Sequence, residues 1–203
     1  MKAWHFLTAD RHTGCGNILV KTGETQRVDP PAILCCNGLH ASLKVLDALH
    51  YAPGPVVCRV EIGGQVTRGD DKLVATERTS LWMYNATDVL VRFARLCALD
   101  VAHLWGAPPE VVRCLRTGAG SKRYRKDLRD PAWAVIQEER RRTPSGASVR
   151  AYAAAAALGA LAAKDWAVPR ESLESCKYAI QAGANRDALN RRLTRMILEG
   201  RPR

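Results

Sequence analysis

The stretch Val56 to Ile62, VVCRVEI, decides the fold class, because Val56, Cys58, Val60 and Ile62 alternate with Val57, Arg59 and Glu61. A period of two sends successive side chains to opposite faces of a sheet and marks a half-buried strand. Toward the N-terminus, residues 3–8 (AWHFLT) and 17–21 (NILVK) read as short strands that pair as a hairpin. The apolar run 32–36, between Pro30–Pro31 and a turn at Asn37–Gly38, reads as another. Ser42 is the expected N-cap of a short helix to about residue 50, since Leu43, Leu46 and Leu49 recur every three residues. Beyond the turn-rich residues 63–71, KLVATER at 72–78 predicts a further strand.

From Thr87 the period changes. Val89, Leu90, Phe93, Leu96, Cys97, Val101 and Leu104 recur at helical spacing, with Thr87 or Asn85 as cap. Proline and glycine punctuation then bounds helices over about 109–116, 131–142, 149–164, 169–183 and 186–199. The expected class is α+β: a small, mostly antiparallel sheet with one short helix, followed by a C-terminal helical bundle. The domains read as a near-neutral β-rich part at 1–86, with helix 87–105 packing on it, and a basic helical part at 106–203.

A chain of 203 residues that is 47% hydrophobic can bury one good-sized core or two small ones. Its longest apolar run, 151–163, is mostly alanine and shorter than the roughly 20 residues a bilayer requires. The opening MKAWHFLTADRHTG lacks the apolar segment of a secretory signal, so a soluble protein in the cytoplasm is expected. Seven cysteines, an odd set without framework spacing, predict reduced thiols, with Cys58, Cys97, Cys114 and Cys176 as small core residues.

The net charge of +11 is unevenly placed. Residues 1–86 hold 9 Lys/Arg against 8 Asp/Glu, and residues 87–203 hold 22 against 12. Such asymmetry predicts an acidic partner, either nucleic acid or an acidic protein surface, for the helical half. The densest cluster comprises Arg113, Arg116, Lys122, Arg123, Arg125, Lys126, Arg129, Arg140, Arg141 and Arg142, interleaved with Tyr124 and Trp133. Arginine forks suit phosphate, and aromatic rings stack on unpaired bases. On the last helix, Leu189, Leu193, Met196 and Ile197 form the buried stripe and leave Arg191, Arg192 and Arg195 on the outer side. No helix-turn-helix, zinc-finger or ribonucleoprotein motif occurs, which speaks against sequence-specific reading. Walker, G-x-G-x-x-G and G-x-S-x-G motifs are also lacking, which removes the nucleoside triphosphatase, Rossmann and serine-hydrolase readings. His12, Cys15, Cys36 and His40 offer four soft ligands for zinc, at spacings that match no familiar zinc motif.

The segment LCCNGLHASLKVLDALHYAPGPVVCRVEI carries a C-x-x-G-[FL]-H-A pattern in Cys35 or Cys36, Gly38, Leu39, His40 and Ala41, followed by Ala48, Tyr51 and the strand Val57 to Ile62. With the alanine- and arginine-rich tail, it resembles a family of uncharacterised proteins encoded by bacteriophages and prophages, over roughly residues 1–105. This resemblance implies a bacterial host cytoplasm and an interaction protein that engages nucleic acid or an acidic protein surface. The expected role is inhibition of a host defence complex, anti-CRISPR-like, with no cofactor.

A more distant likeness is to ADP-ribosyltransferase-like domains, and it implies NAD as cofactor. The order His5, then Gly38–Ser42, then the short helix, then Glu77 is similar to theirs. On that likeness His5 bonds the nicotinamide ribose, His40 lies against the nicotinamide ring, and Glu77 opposes the charge of the oxocarbenium-like state. The first strand departs from the usual His-Gly-[ST], and no tyrosine stands at the second position. A non-specific DNA- or RNA-binding accessory protein is the third reading.

Overall fold

The computed structural model of the chain describes residues 1–119, 127–143, 148–162 and 168–202. They divide between two units, Met1–Thr87 with Leu193–Arg203, and Asp88–Arg192.

The first unit is built on five strands, β1 (Lys2–Leu7), β2 (Thr25–Arg27), β3 (Leu39–Ala41), β4 (Val56–Arg68) and β5 (Leu73–Asn85), with helix α1 (Val45–His50) after β3. Every pairing is antiparallel. β4 lies between β1 and β5, and the far edge of β5 takes β2 opposite Glu77–Thr79 and β3 opposite Leu73–Ala75. The chain leaving β3 then meets β1. Ser42 N donates to Trp4 O at 2.9 Å, and Trp4 N donates to Ser42 O at 2.8 Å. The segment 39–42 thus joins β5 on one edge and β1 on the other, closing a ring of strands. Register shifts between Arg59 and Val60 and between Gly63 and Val66 add the local twist that such curling needs. Ala3, Leu7, Ala41, Val56, Cys58, Val60, Ile62, Leu73 and Ala75 form the core of this unit.

The alternation at 56–62 is realised in β4, which continues through the predicted glycine turn to Arg68. Two predicted strands are not formed. Residues 17–21 make a loop tied by a single bridge between His12 and Leu19. The edges of β1 are occupied by β4 and Ser42, so no hairpin partner can add there. Residues 32–36 turn instead of extending, with Cys35 at φ +64°, and the strand forms three residues later at Leu39. Because the Ser42 backbone belongs to the sheet, the helix starts at Val45 with Lys44 in the N-cap position.

The second unit is helical: α2 (Thr87–Val101) running into a 3-10 turn (Ala102–Trp105), α3 (Pro109–Thr117), α4 (Asp130–Arg142), α5 (Val149–Ala162), α6 (Val168–Gln181) and α7 (Arg186–Glu199), the last passing into the first unit at Leu193. The class read from the sequence, an antiparallel sheet followed by a helical region, is the class observed. Side chains cap three of these helices at their N-termini. Asn85 Oδ1 accepts from Thr87 N at 3.0 Å, Ser148 Oγ from Ala151 N at 3.0 Å, and Asn185 Oδ1 from Ala188 N at 2.8 Å. The alanines of α5 let α6 approach closely. A Cβ on Gly159 would stand 3.1 Å from Ser175 N and 3.2 Å from Glu171 O. Cys58, Cys97, Cys114 and Cys176 are buried free thiols, as expected. Among the described residues no helix is long and apolar enough to cross a membrane.

Candidate ligand cavity

The period of β1 that puts Ala3 and Leu7 in the core sends His5 the same way. On β5, Arg78 stands opposite the core residue Ile62 and turns inward with it. Together with His40 of β3 and Gln26 of β2, these residues line a cavity of about 530 Å³. Tyr51 and Lys72 also contribute to the lining.

Arg78 is only 2% exposed. Its Nη1 donates to the His40 carbonyl at 2.6 Å, while Nη2 and Nε donate to Gln26 Oε1 at 2.7 and 3.3 Å. All these acceptors are neutral. Among the described residues no carboxylate forms an ion pair with this guanidinium. Burial lowers its pKa to about 10, so it stays charged at neutral pH.

The two histidines are held neutral. Burial first, then the charge of Arg78 and then His40, pushes His5 well below its ordinary value, and its Nε2 is sealed from solvent without a hydrogen-bond partner. His40 is lowered by burial, then by Lys72 and Arg78, against an opposing hydrogen bond to the Gly38 backbone. Its Nε2 accepts from Cys35 N at 3.1 Å, so the ring is fixed by the loop that precedes β3. Tyr51 donates to Asp71 Oδ2 at 2.6 Å, and the Lys72 ammonium stands 4.6 Å from the centre of the Tyr51 ring. The cavity therefore combines a buried cation, a second cation, two neutral imidazoles and a phenol.

Of the three residues implied as catalytic, the structure brings together His5 and His40 but not Glu77. Neighbours on a strand face opposite sides, and Arg78 takes the inward position. Glu77 pairs across the sheet with Arg27, Nε to Oε1 at 3.4 Å. The zinc alternative does not assemble either. His12 engages Asp10 at 3.1 Å, and the described residues hold no group of three or more metal-capable side chains. Sequence reasoning missed Arg78 and Gln26. The available signal was a charged residue one register step from Glu77 on a predicted strand.

Two of the basic residues expected to meet a partner form ion pairs. Arg142 is bound to Glu138 at 2.7 Å and to Glu139 at 3.8 Å, and Arg192 grips both oxygens of Asp100 at 2.6 and 3.3 Å. Arg113, Arg116, Arg140, Arg141, Arg191 and Arg195 are exposed, and Arg129 is partly buried. Lys122, Arg123, Tyr124, Arg125 and Lys126 lie outside the described residues.

No curated protein and no solved structure matches the chain. Residues 1–92, which contain every residue lining the cavity, match the family model of a domain of unknown function, DUF7666.

Proposed function

We propose that the first unit binds a small anionic ligand, a nucleotide or another phosphorylated or carboxylated molecule, with Arg78 holding the anion. The observation that carries this reading is the buried Arg78 guanidinium bonded to neutral acceptors only. A buried cation without an ionic partner costs several kcal/mol, and an arriving phosphate or carboxylate supplies that partner bidentately. The cavity volume suits a drug- or nucleotide-sized molecule. His5 and His40, being neutral, offer a polar lining that does not compete for the anion. NAD fits this class through its pyrophosphate and is the ligand implied by the transferase likeness. Glu77, on the other face, contributes nothing to holding it.

Thermal unfolding in the presence of inorganic phosphate, ADP-ribose or NAD, against chloride at matched ionic strength, tests the reading. At ten times its Kd, a ligand that binds only the folded chain stabilises it by about 1.4 kcal/mol, a rise of a few degrees in Tm. We expect that rise in the wild type and in Glu77→Ala, and its loss in Arg78→Gln. A rise of equal size in Arg78→Gln, or none with any of the three probes, overturns the proposal.

A further inference from the structure

The alanine helix of the second unit has an outward side as well as a packed one. Ala155 and Ala162 of α5 are partly exposed, and where their side chains stop short a groove of about 450 Å³ opens between α4 and α6. Its walls are aromatic and cationic. From α4 come Trp133 and Arg140, with the Arg140 guanidinium 5.8 Å from the centre of the Trp133 ring. Tyr152 of α5 stacks with Tyr178 of α6, centroids 6.3 Å apart and planes 20° from parallel. Arg129 and Arg170 complete the cationic side, the first with a buried Nε that has no hydrogen-bond partner.

From these observations we infer that the groove binds single-stranded nucleic acid, with unpaired bases stacking on Trp133 and on the tyrosine pair. Arg129, Arg140 and Arg170 hold the phosphates. Three lines of chemistry support this occupant over the alternatives. Trp133 is 49% exposed, a large apolar ring left in water beside an arginine, and a base offers it a flat partner of matching size. Duplex bases are already stacked on one another and present no free face to such rings. An acidic side chain offers no flat face to Trp133 and the tyrosine pair, whereas a base does. Glu171 and Glu174 in the same wall are acceptors for exocyclic amino groups of bases, cytosine N4 above all. The proposal is independent of the cavity in the first unit, since it uses none of its residues.

Fluorescence anisotropy with the full chain and a labelled twelve-residue oligothymidylate is the test, read from 50 to 200 mM salt. We expect binding whose logarithm falls linearly with the logarithm of salt concentration, as counterion release requires. Trp133→Ala should weaken it about tenfold, the size of one lost base stack, while leaving Tm unchanged because the ring is half in water. Arg140→Gln should lower the salt slope by about 0.7, the share of one phosphate contact on a single strand. Arg191→Gln removes an exposed charge outside the groove and should retain the Trp133-dependent affinity. Three results would overturn the inference: no binding at 50 mM salt, a duplex of the same length bound as tightly as the single strand, or affinity unmoved by Trp133→Ala. Displacement of the oligonucleotide by polyglutamate at equal charge would assign the groove to an acidic protein instead.

Discussion

Arg78 and Glu77 show what one register step decides. The sequence makes both plausible inward residues, because KLVATER contains no apolar alternation strong enough to fix the parity. The strand's register sets it: Ile62 opposite Arg78 faces the core, whereas Gly63 opposite Glu77 leaves that carboxylate to Arg27. His5 was legible, since it stands between the core residues Ala3 and Leu7 on an evident strand. Its environment leads to a pH dependence. With the folded pKa pushed well below the unfolded value of about 6.5, the unfolded chain binds the proton first as pH falls. The stability is therefore intact above about pH 6.5 and declines below it, by up to about 1.4 kcal/mol per pH unit for this one group. Urea unfolding between pH 7.5 and 5 should show that decline, and His5→Gln should remove its own share. An equal slope in the variant would place the titration elsewhere.

At the scale of elements, the strongly periodic segments were readable and the irregular ones were not. The alternation of β4 and the helical spacings from Thr87 onward correspond to formed elements. β2, with the sequence TQR, carries no hydrophobic signal, and its place is set by the free edge of β5. The apolar runs at 17–21 and 32–36 look like strands until the competition for edges is counted. Ile18, Leu19 and Ile33 end up about half exposed, so their hydrophobicity does not report burial. Gly38 is the residue on which β3 depends. It sits at φ +127°, and a Cβ there would collide with Val74 Cγ2 and fall 3.1 Å from the Ala75 carbonyl oxygen. Backbone strain and overpacking together predict that Gly38→Ala costs about 2–5 kcal/mol. The damage should concentrate on β3, so hydrogen exchange at Leu39 and Ala41 should accelerate more than exchange within β1 and β4. Uniform acceleration would mean that the strand does not depend on this glycine.

For the whole molecule, the first unit's main segment ends at Thr87, residues 88–105, expected to pack on the sheet, are counted with the second unit, and the sequence did not reveal that residues from Leu193 return to the first. The stripe Leu189, Leu193, Met196 and Ile197 shows that α7 buries one face, and periodicity cannot say against what. Residues from Leu193 onward belong to the sheet unit, where Leu193 and Ile197 are fully buried and Tyr84 Oη donates to the Ile197 carbonyl at 2.7 Å. Arg201 lies 5.3 Å from the centre of the Trp82 ring on the same strand as Tyr84. Under this cover the Tyr84 phenol is pushed up to about 12 by burial. A chain ending at residue 192 should release it: ultraviolet titration at alkaline pH should show one tyrosine moving from about 12 toward its ordinary value near 10, absent when Tyr84→Phe is made in the same background. The shortened chain should also unfold at a lower temperature, because burial of Leu193 and Ile197 stabilises by roughly 1.5–3 kcal/mol each. A titration curve indifferent to the truncation would show that the sheet, and not the returning helix, buries Tyr84. The charge asymmetry reads differently once the tail is counted with the sheet, because Arg195 and Arg201 then belong to the first unit. The arginines that remain in the second unit include Arg129, Arg140 and Arg170 of the α4–α6 groove, which places part of its basicity beside aromatic rings, Trp133 among them half in water.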